Sequence, residues 1–152
     1  MSRISQSDLC DIEAIRRIKG LYCDTIDRIM REGEPADTDL LRSLFTEDAV
    51  IDFTLLDGIV YSGVSQIVDL FTRVLPSGVS WMWHSTGAEI IDIDGDRARG
   101  RWTLLAMSQP IGSEGLPPSM TYGRYIDDFV RVDGEWRQNR LFFLNETKPA
   151  AT

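Results

Sequence analysis

The chain contains one histidine, His84, and histidine is the only side chain that titrates near neutral pH without assistance. His84 follows two tryptophans and precedes a strand-like run that ends at Asp96. A carboxylate that hydrogen-bonds an imidazole fixes its tautomer and stabilises the imidazolium. The best candidate for that carboxylate is Asp27, so the two residues are predicted to form a general acid–base dyad. The alternative interpretation is that His84 is a hydrogen-bonded core residue.

A long amphipathic helix is predicted to position Asp27. Apolar residues recur at threes and fours between Leu9 and Met30, Ser7 can cap the start of this pattern, and Gly33 follows its end. Two shorter helices are predicted to follow, from Asp37 to Phe45 and from Ser65, as the N-cap, to Pro76. The helices of the chain are therefore expected in its first half.

Strand patterns dominate the chain after residue 80. An early pair of strands, 49–55 and 59–61, is joined by an Asp-Gly hairpin turn. Four long strands are then predicted over residues 83–93, 97–108, 121–132 and 136–144, and they should form an antiparallel meander. The segment 109–119 contains three prolines and two glycines. It is interpreted as a lid, a subunit contact or a plain surface connection.

The order of these elements, helices first and strands afterwards, predicts an α+β fold in which helices pack on one face of a curved sheet. A curved sheet closed by helices forms a cone, and its interior is a natural pocket for a small molecule. The 152 residues fit a single domain over residues 1–152, since no linker, repeat or low-complexity segment divides them.

The formal net charge of −8 argues against nucleic acid or an anionic membrane as a partner, because binding phosphates requires a basic face. No apolar run reaches the length of a signal peptide or a membrane span. Cys10 and Cys23 fall in one predicted helix about 20 Å apart and cannot pair with each other. The sequence therefore predicts a cytoplasmic protein whose partner is a small-molecule substrate.

Metal and cofactor sites lack the sequence patterns that they need. One histidine and two distant cysteines leave only carboxylates as metal ligands, and no zinc or calcium spacing is present. Neither a glycine-rich phosphate loop nor a G-x-S-x-G turn occurs. We therefore predict no metal and no organic cofactor.

Four groups of residues, in this order along nearly the whole chain, carry a family resemblance. They are Ile12-Glu13-Ala14-Ile15 with Leu21-Tyr22 and Asp27, Leu44 to Val50, His84 with Gly95 to Trp102, and Tyr125 to Phe129 with Asp133 to Trp136. The chain resembles the scytalone dehydratase, lindane dehydrochlorinase and bile-acid dehydratase group within the SnoaL-like, NTF2-like superfamily. The resemblance implies an NTF2-like (cystatin-like) cone of about three N-terminal helices on a mostly antiparallel sheet.

The resemblance also implies roles for three side chains. In dehydratase-like members an aspartate at the end of the first helix hydrogen-bonds a histidine that removes or shuttles the substrate proton, and the matching residues are Asp27 and His84. Tyr22 matches a pocket position where a tyrosine or lysine holds the substrate; otherwise it is a core aromatic. Tyr22 and Asp27 lie about 140° apart on an ideal helix, so both reach one cavity only if the helix end turns inward.

Other positions depart from the dehydratase pattern. Phe53 stands where scytalone dehydratase has a tyrosine, and Ser108 stands about where it has a second histidine, so the groups that activate the substrate carbonyl are missing or supplied differently. Alternation along the strand points Trp102 and Ser108 inward. The residues predicted to contact the substrate are Tyr22, Phe53, Trp102, Ser108 and Tyr125.

Tyr125 could supply a replacement polar group, together with Thr121 and Asp127, because the three share one face of their strand. The same face also fits a packed core with Phe129. A carboxylate is uncomfortable in an apolar core, so we expect that Asp127 pairs with an arginine or that its strand contains a bulge.

These observations favour a cofactor-independent lyase of the dehydratase type that acts on a small hydroxylated cyclic or polyketide-like substrate. An isomerase or a polyketide cyclase with the same dyad is the second interpretation. The third is a non-catalytic protein that resembles the small subunit of ring-hydroxylating dioxygenases. A homo-oligomer is expected, and by analogy with dehydratase-type relatives it is a trimer.

Overall fold

The first helix begins where a serine satisfies its free backbone amides. In the computed structural model, which describes residues 4–147, helix α1 spans Gln6–Arg31 with Ser5 as its N-cap. Ser5 Oγ accepts a hydrogen bond from the Asp8 amide, and the Asp8 carboxylate accepts one from the Ser5 amide. This reciprocal capping box requires a side-chain oxygen acceptor three positions after the cap. The prediction of Ser7 as the cap was therefore wrong by two residues.

Two shorter helices and two tight turns follow α1. Their bounds are Pro35–Ser43 for α2, Val64–Asp69 for α3, Leu70–Val74 for a π-helical turn and Leu75–Ser77 for a 3-10 turn. α2 begins at Pro35, whose fixed φ suits the first helical position, and not at Asp37 as predicted. Gly63, at a φ of 85°, precedes α3, and no side chain caps this helix. The prediction that Ser65 caps the third helix was therefore wrong.

Within residues 4–147 six strands form one sheet. They are β1 (Phe45–Phe53), β2 (Ile59–Ser62), β3 (Val79–Asp94), β4 (Arg97–Pro110), β5 (Ser119–Val132) and β6 (Glu135–Asn145). Their order across the sheet is β2-β1-β6-β5-β4-β3, with β1 parallel to β6 and all other neighbours antiparallel. The predicted α+β class and the meander from β3 to β6 are confirmed.

The inner face of β4 is shaped by one close approach. Arg97, Arg99 and Arg101 are exposed, and the alternate residues Ala98, Gly100 and Trp102 are buried, as the sequence alternation predicts. A Cβ at Gly100 would overlap the indole ring of Trp102. Only glycine at position 100 therefore leaves room for this ring over its own strand.

Strand β3 carries His84 and bends beyond it. Ala88 has a φ of 48°, and the pairing with β4 shifts register between Gly87 and Ile90. An extra residue of this kind bends a strand and increases its twist. His84 lies on the N-terminal side of the bend and pairs with Ala106 of β4.

The buried core lies between α1, α3 and the concave face of the sheet. It includes Ile15, Ile26, Phe45, Ile51, Ile67, Leu70, Phe129 and Leu141. Among residues 4–147 no helix is long and apolar enough to cross a membrane. Cys10 is exposed, Cys23 is buried, and both thiols are free.

Candidate functional site

Asp27 and His84 are in direct contact. Asp27 Oδ1 lies 2.6 Å from His84 Nδ1, and Asp27 Oδ2 accepts a hydrogen bond of 2.9 Å from the His84 backbone amide. An aspartate carboxylate can only accept hydrogen bonds, so the arrangement matches an imidazole with its proton on Nδ1 and its basic nitrogen at Nε2.

The dyad is assembled from two elements across the concave side of the fold. α1 supplies Asp27 from its last two turns, and β3 supplies His84, 57 residues later. The side chain of His84 is only 6% exposed and that of Asp27 11%. Both groups therefore act in a largely dry environment, where a hydrogen bond to a charged partner is stronger than in water.

His84 opens onto a cavity of about 260 Å³. Its polar lining consists of Tyr22, Asp57, His84, Ser108, Thr121 and Tyr125. Its apolar lining consists of Phe53, Leu56, Leu70, Phe71, Leu75, Val79, Met82, Leu104, Ala106 and Phe143. An apolar wall with a few convergent polar groups is typical of a site for a small organic ligand.

The cavity brings together most of the residues that the sequence singled out. Tyr22, Phe53, Ser108 and Tyr125 line it, as does His84. Trp102 is not among the lining residues, and its ring packs in the core at 6.0 Å from that of Phe129. The structure therefore places Trp102 in the core and not at the cavity, where the sequence predicts that it contacts the substrate. The ring can lie over β4 because Gly100 has no side chain.

The spacing of Tyr22 and Asp27 on α1 does not require the helix to turn inward. Tyr22 lines the cavity directly, whereas Asp27 contributes through His84 and is not itself part of the lining. The two side chains therefore leave the helix in different directions and still serve one site.

Two tyrosines form part of the cavity wall with their rings 6.0 Å apart in an edge-on arrangement. Burial raises the pKa of both Tyr22 and Tyr125 well above the usual value. Both phenols therefore remain protonated donors at neutral pH. The hydroxyl of Tyr22 is fully buried and interacts with Tyr125, whereas the ring of Tyr125 keeps a small exposed fraction of 3%.

Asp57 is a cavity residue that the sequence analysis missed. Its Asp-Gly context indicated only a hairpin turn, and it does lie between β1 and β2. Its carboxylate also accepts a hydrogen bond of 2.9 Å from the Tyr61 hydroxyl. Burial, together with this bond, raises the pKa of Tyr61 to about 12. Asp57 follows the cavity residue Phe53 closely in the sequence, and the tight turn between β1 and β2 keeps both residues at the same side of the cavity. This short spacing is the signal in the sequence that could have identified Asp57.

Beneath the cavity lies an ion pair. Lys19 Nζ is 2.7 Å from Asp127 Oδ2, and both side chains are fully buried. Burial raises the pKa of Asp127 to about 6, against the lowering influence of the Lys19 ammonium. The expected arginine partner is a lysine from α1. The register shift next to Asp127, between Asp128 and Phe129, leaves Asn139 of β6 unpaired, so the bulge lies on the neighbouring strand and not, as expected, on the strand of Asp127.

Across residues 4–147 no three His, Cys, Asp or Glu side chains are arranged to hold a metal ion. The acidic groups near the cavity are instead engaged with protein partners. Asp27 binds His84, Asp57 binds Tyr61 and Asp127 binds Lys19.

A comparison with protein families matches residues 7–141 to the SnoaL-like domain. The chain belongs to the SnoaL-like family. The match spans α1, the dyad, the cavity and most of the sheet, which confirms the family resemblance noted from the sequence. A comparison with curated proteins finds no match.

Solved structures of similar fold include a candidate scytalone dehydratase from Novosphingobium aromaticivorans, with a TM-score of 0.76, 21% identity and coverage of 92% of this chain and 87% of that one. The hexachlorocyclohexane dehydrochlorinase LinA-type3 from Novosphingobium barchaimii has a TM-score of 0.76, 19% identity and coverages of 91% and 88%. A protein of unknown function with a cystatin-like fold from Nostoc punctiforme has a TM-score of 0.71, 14% identity and coverages of 98% and 98%. These likenesses show the NTF2-like, cystatin-like fold of this chain.

Proposed function

We propose that this SnoaL-like protein is a cofactor-independent lyase of the dehydratase type, which acts on a small hydroxylated cyclic or polyketide-like substrate through Asp27 and His84. The observation that carries the proposal is the pair of hydrogen bonds between the Asp27 carboxylate and His84 at the wall of the cavity. Two proteins of similar fold are named as a candidate dehydratase and a dehydrochlorinase, and both names describe eliminations.

The proposed reaction needs one base and no external oxidant or metal. Nε2 of His84 takes a proton from the carbon next to the one that carries the hydroxyl, and the C–H electron pair forms the new double bond as the C–O bond breaks. The imidazolium gives its proton to the departing hydroxyl, which leaves as water. Asp27 stabilises the imidazolium between these two events.

The lining of the cavity supports an uncharged substrate. The side chains that form the wall are mostly apolar, and within the described residues no lysine or arginine is among them. A carboxylate or phosphate would therefore enter without a basic partner, which is costly in a dry site. The phenol of Tyr125 can instead donate a hydrogen bond to a neutral carbonyl or hydroxyl oxygen.

The experiment that tests this proposal is a screen of neutral cyclic alcohols and β-hydroxy ketones for loss of water, with products followed by mass spectrometry. Wild type should release water from at least one compound, and His84→Ala and Asp27→Asn should not. Asp24→Asn, an exposed position one turn earlier on α1, and Ser85→Ala, the exposed neighbour of His84, are matched controls that should stay active. A product of unchanged mass that disappears with the same two variants would instead identify an isomerase or cyclase.

We further propose that the protein is a homotrimer that self-associates through the outer face of its sheet. Trp83, Met107 and Met120 lie side by side across β3, β4 and β5, and Leu105 and Tyr122 form the next row. Trp83, Met120 and Tyr122 are between 44% and 55% exposed, and adjacent exposed apolar side chains of this kind are typical of a protein–protein contact. Analytical ultracentrifugation should find three chains for wild type and fewer for Trp83→Lys.

The cytoplasmic location and the single domain over residues 1–152 remain predictions. The sheet, the helices and their shared core account for residues 4–147 of that domain.

A further inference from the structure

Lys19 and Asp127 form a buried ion pair that the proposed reaction does not use. Their side chains are 1% and 0% exposed, and the nitrogen and oxygen atoms are 2.7 Å apart. Removing two charges from water costs about as much as their attraction returns, so apolar residues of similar size would stabilise the fold at least as well. Stability alone therefore gives no reason for a charged pair at this place.

The surroundings of the Lys19 ammonium connect it to the cavity. Nζ lies 3.5 Å from the centroid of the Tyr125 ring, 4.5 Å from that of Tyr22 and 5.5 Å from that of Trp102. An ammonium is attracted to the face of an aromatic ring. Two of these three rings line the cavity, whereas Lys19 itself does not. Lys19 therefore has no direct contact with the cavity, and the side chains that connect it to a bound molecule are the two tyrosines.

Each partner of the ion pair is on the same element as one of the tyrosines. Lys19 lies three residues before Tyr22 on α1, and Asp127 lies two residues after Tyr125 on the same face of β5. The ion pair thus ties the helix to the strand at the level of the two rings. We propose that Lys19 and Asp127 are positioning residues, which hold Tyr125 in place to hydrogen-bond the substrate and hold the ring of Tyr22 beside it. The proposal rests on the proposed function in taking the cavity as the substrate site.

The test compares a charge-free pair with the wild-type protein. Lys19→Met together with Asp127→Leu removes both charges and keeps the volumes close, so the fold should persist with an unchanged or raised melting temperature. Arg99→Gln with Asp128→Asn removes the exposed ion pair between β4 and β5 and is the matched control. The two readouts are the NMR signals of ζ-¹³C tyrosine and the affinity for 2-naphthol, a bicyclic phenol that is neutral at pH 7, measured by fluorescence.

We expect the signals of Tyr125 and Tyr22 to move in the charge-free variant, while those of Tyr61 and Tyr122 stay in place. The dissociation constant for 2-naphthol should rise about tenfold, as in Tyr125→Phe. The charge-free pair should cause no further loss in the Tyr125→Phe background, because residues that act through one another are not additive. The surface control should leave both readouts unchanged.

Unmoved Tyr125 signals, or a loss of affinity that adds fully to that of Tyr125→Phe, would overturn the proposal. Absence of 2-naphthol binding by wild type would overturn it as well, since the phenols would then not serve a cyclic hydroxyl ligand. The NMR signals of the His84 ring separate a failure of this proposal from a failure of the proposed function, because they report on the dyad alone. Among the described residues Lys19 and Asp127 make no hydrogen bond or ion pair with the dyad, so the His84 ring signals should be the same in the charge-free variant.

Discussion

The carboxylate of Asp27 is hydrogen-bonded to His84 at two points, the ring nitrogen Nδ1 at 2.6 Å and the backbone amide at 2.9 Å. One contact fixes the tautomer and the other fixes the carboxylate against β3. The arrangement therefore resists rotation of either side chain. It presents Nε2 to the cavity in a constant orientation, which is what a general base requires.

Asp27→Asn should lower turnover by about two to four orders of magnitude, because an amide can neither enforce the Nδ1–H tautomer nor stabilise the imidazolium. The amide has the same size as the carboxylate, so circular dichroism and the melting temperature should change little. Steady-state kinetics on any substrate found by the screen would measure the loss. Full activity would exclude Asp27 from the mechanism.

His84→Ala should abolish turnover while the fold persists. Only 6% of the side chain is exposed, but it borders a cavity, so its removal enlarges an existing space and does not open a new one in the core. Addition of imidazole to this variant should restore part of the activity, since a free base can occupy the vacated volume. Activity that survives without imidazole would show that another group is the base.

Stability should depend on pH through Asp127. The pKa of Asp127 is raised in the folded protein to about 6, from the model-peptide value of 3.8. Between these values the folded chain binds more protons than the unfolded chain, so this group makes the free energy of unfolding fall as pH rises from about 4 to about 6. The pKa values of Asp11 and Asp52 are lowered in the folded protein, so these two groups make the free energy of unfolding rise with pH. Their contribution is removed by subtracting the free energies of a reference protein that keeps both residues.

The reference is Lys19→Met with Asp127→Leu. Wild-type minus variant free energies of unfolding, from urea titrations between pH 4 and pH 7.5, should fall through this window and level off above it. A difference that is flat or rises would contradict the burial of an ionised Asp127.

Substitution by alanine should change the stability of the protein in opposite directions at two glycines. At Gly100 the new methyl group would overlap the Trp102 ring, which is buried and cannot move away, so Gly100→Ala should destabilise by about 1 to 3 kcal/mol. At Gly20, an exposed interior position of α1, no atom lies within 4 Å of the added group. Gly20→Ala should stabilise by about 0.5 to 1 kcal/mol, and thermal denaturation of both variants compares them.

Much of the fold follows from local patterns in the sequence. The strand alternation of residues 97 to 102 correctly separates the exposed arginines from the buried residues, and turn residues mark the ends of each strand of the meander. The helix starts were less accurate. A serine, a proline and a glycine each begin one helix, and choosing among neighbouring candidates such as Ser5 and Ser7 depends on which backbone amides the folded chain leaves free.

The sequence predicted the part of the site in which few residues could do the chemistry. A single histidine leaves few partners, and the structure places His84 against the aspartate chosen for it. Lys19 was missed although it lies in the buried stripe with Ile15 and Tyr22. A lysine in such a stripe needs a buried carboxylate, and Asp127 had been recognised as one without a partner. Predicting that Lys19 and Asp127 pair requires knowing which strand packs against α1 at Lys19.

The placement of Trp102 shows a different limit. Its inward direction follows from alternation along the strand, but whether an inward side chain reaches a cavity or a core depends on its neighbours. The space left by Gly100 decides the matter, and it is visible only when the strand is folded.

The most direct test of the account is the tautomer of His84, measured by ¹⁵N NMR of the imidazole ring above its titration range. The protein has one histidine, so the ring signals need no assignment. We predict that the wild-type ring carries its proton on Nδ1 and has an unprotonated Nε2, and that Asp27→Asn loses this preference while Asp24→Asn keeps it. A wild-type ring protonated on Nε2, or the same tautomer in Asp27→Asn, would contradict the assignment of His84 as a base oriented by Asp27.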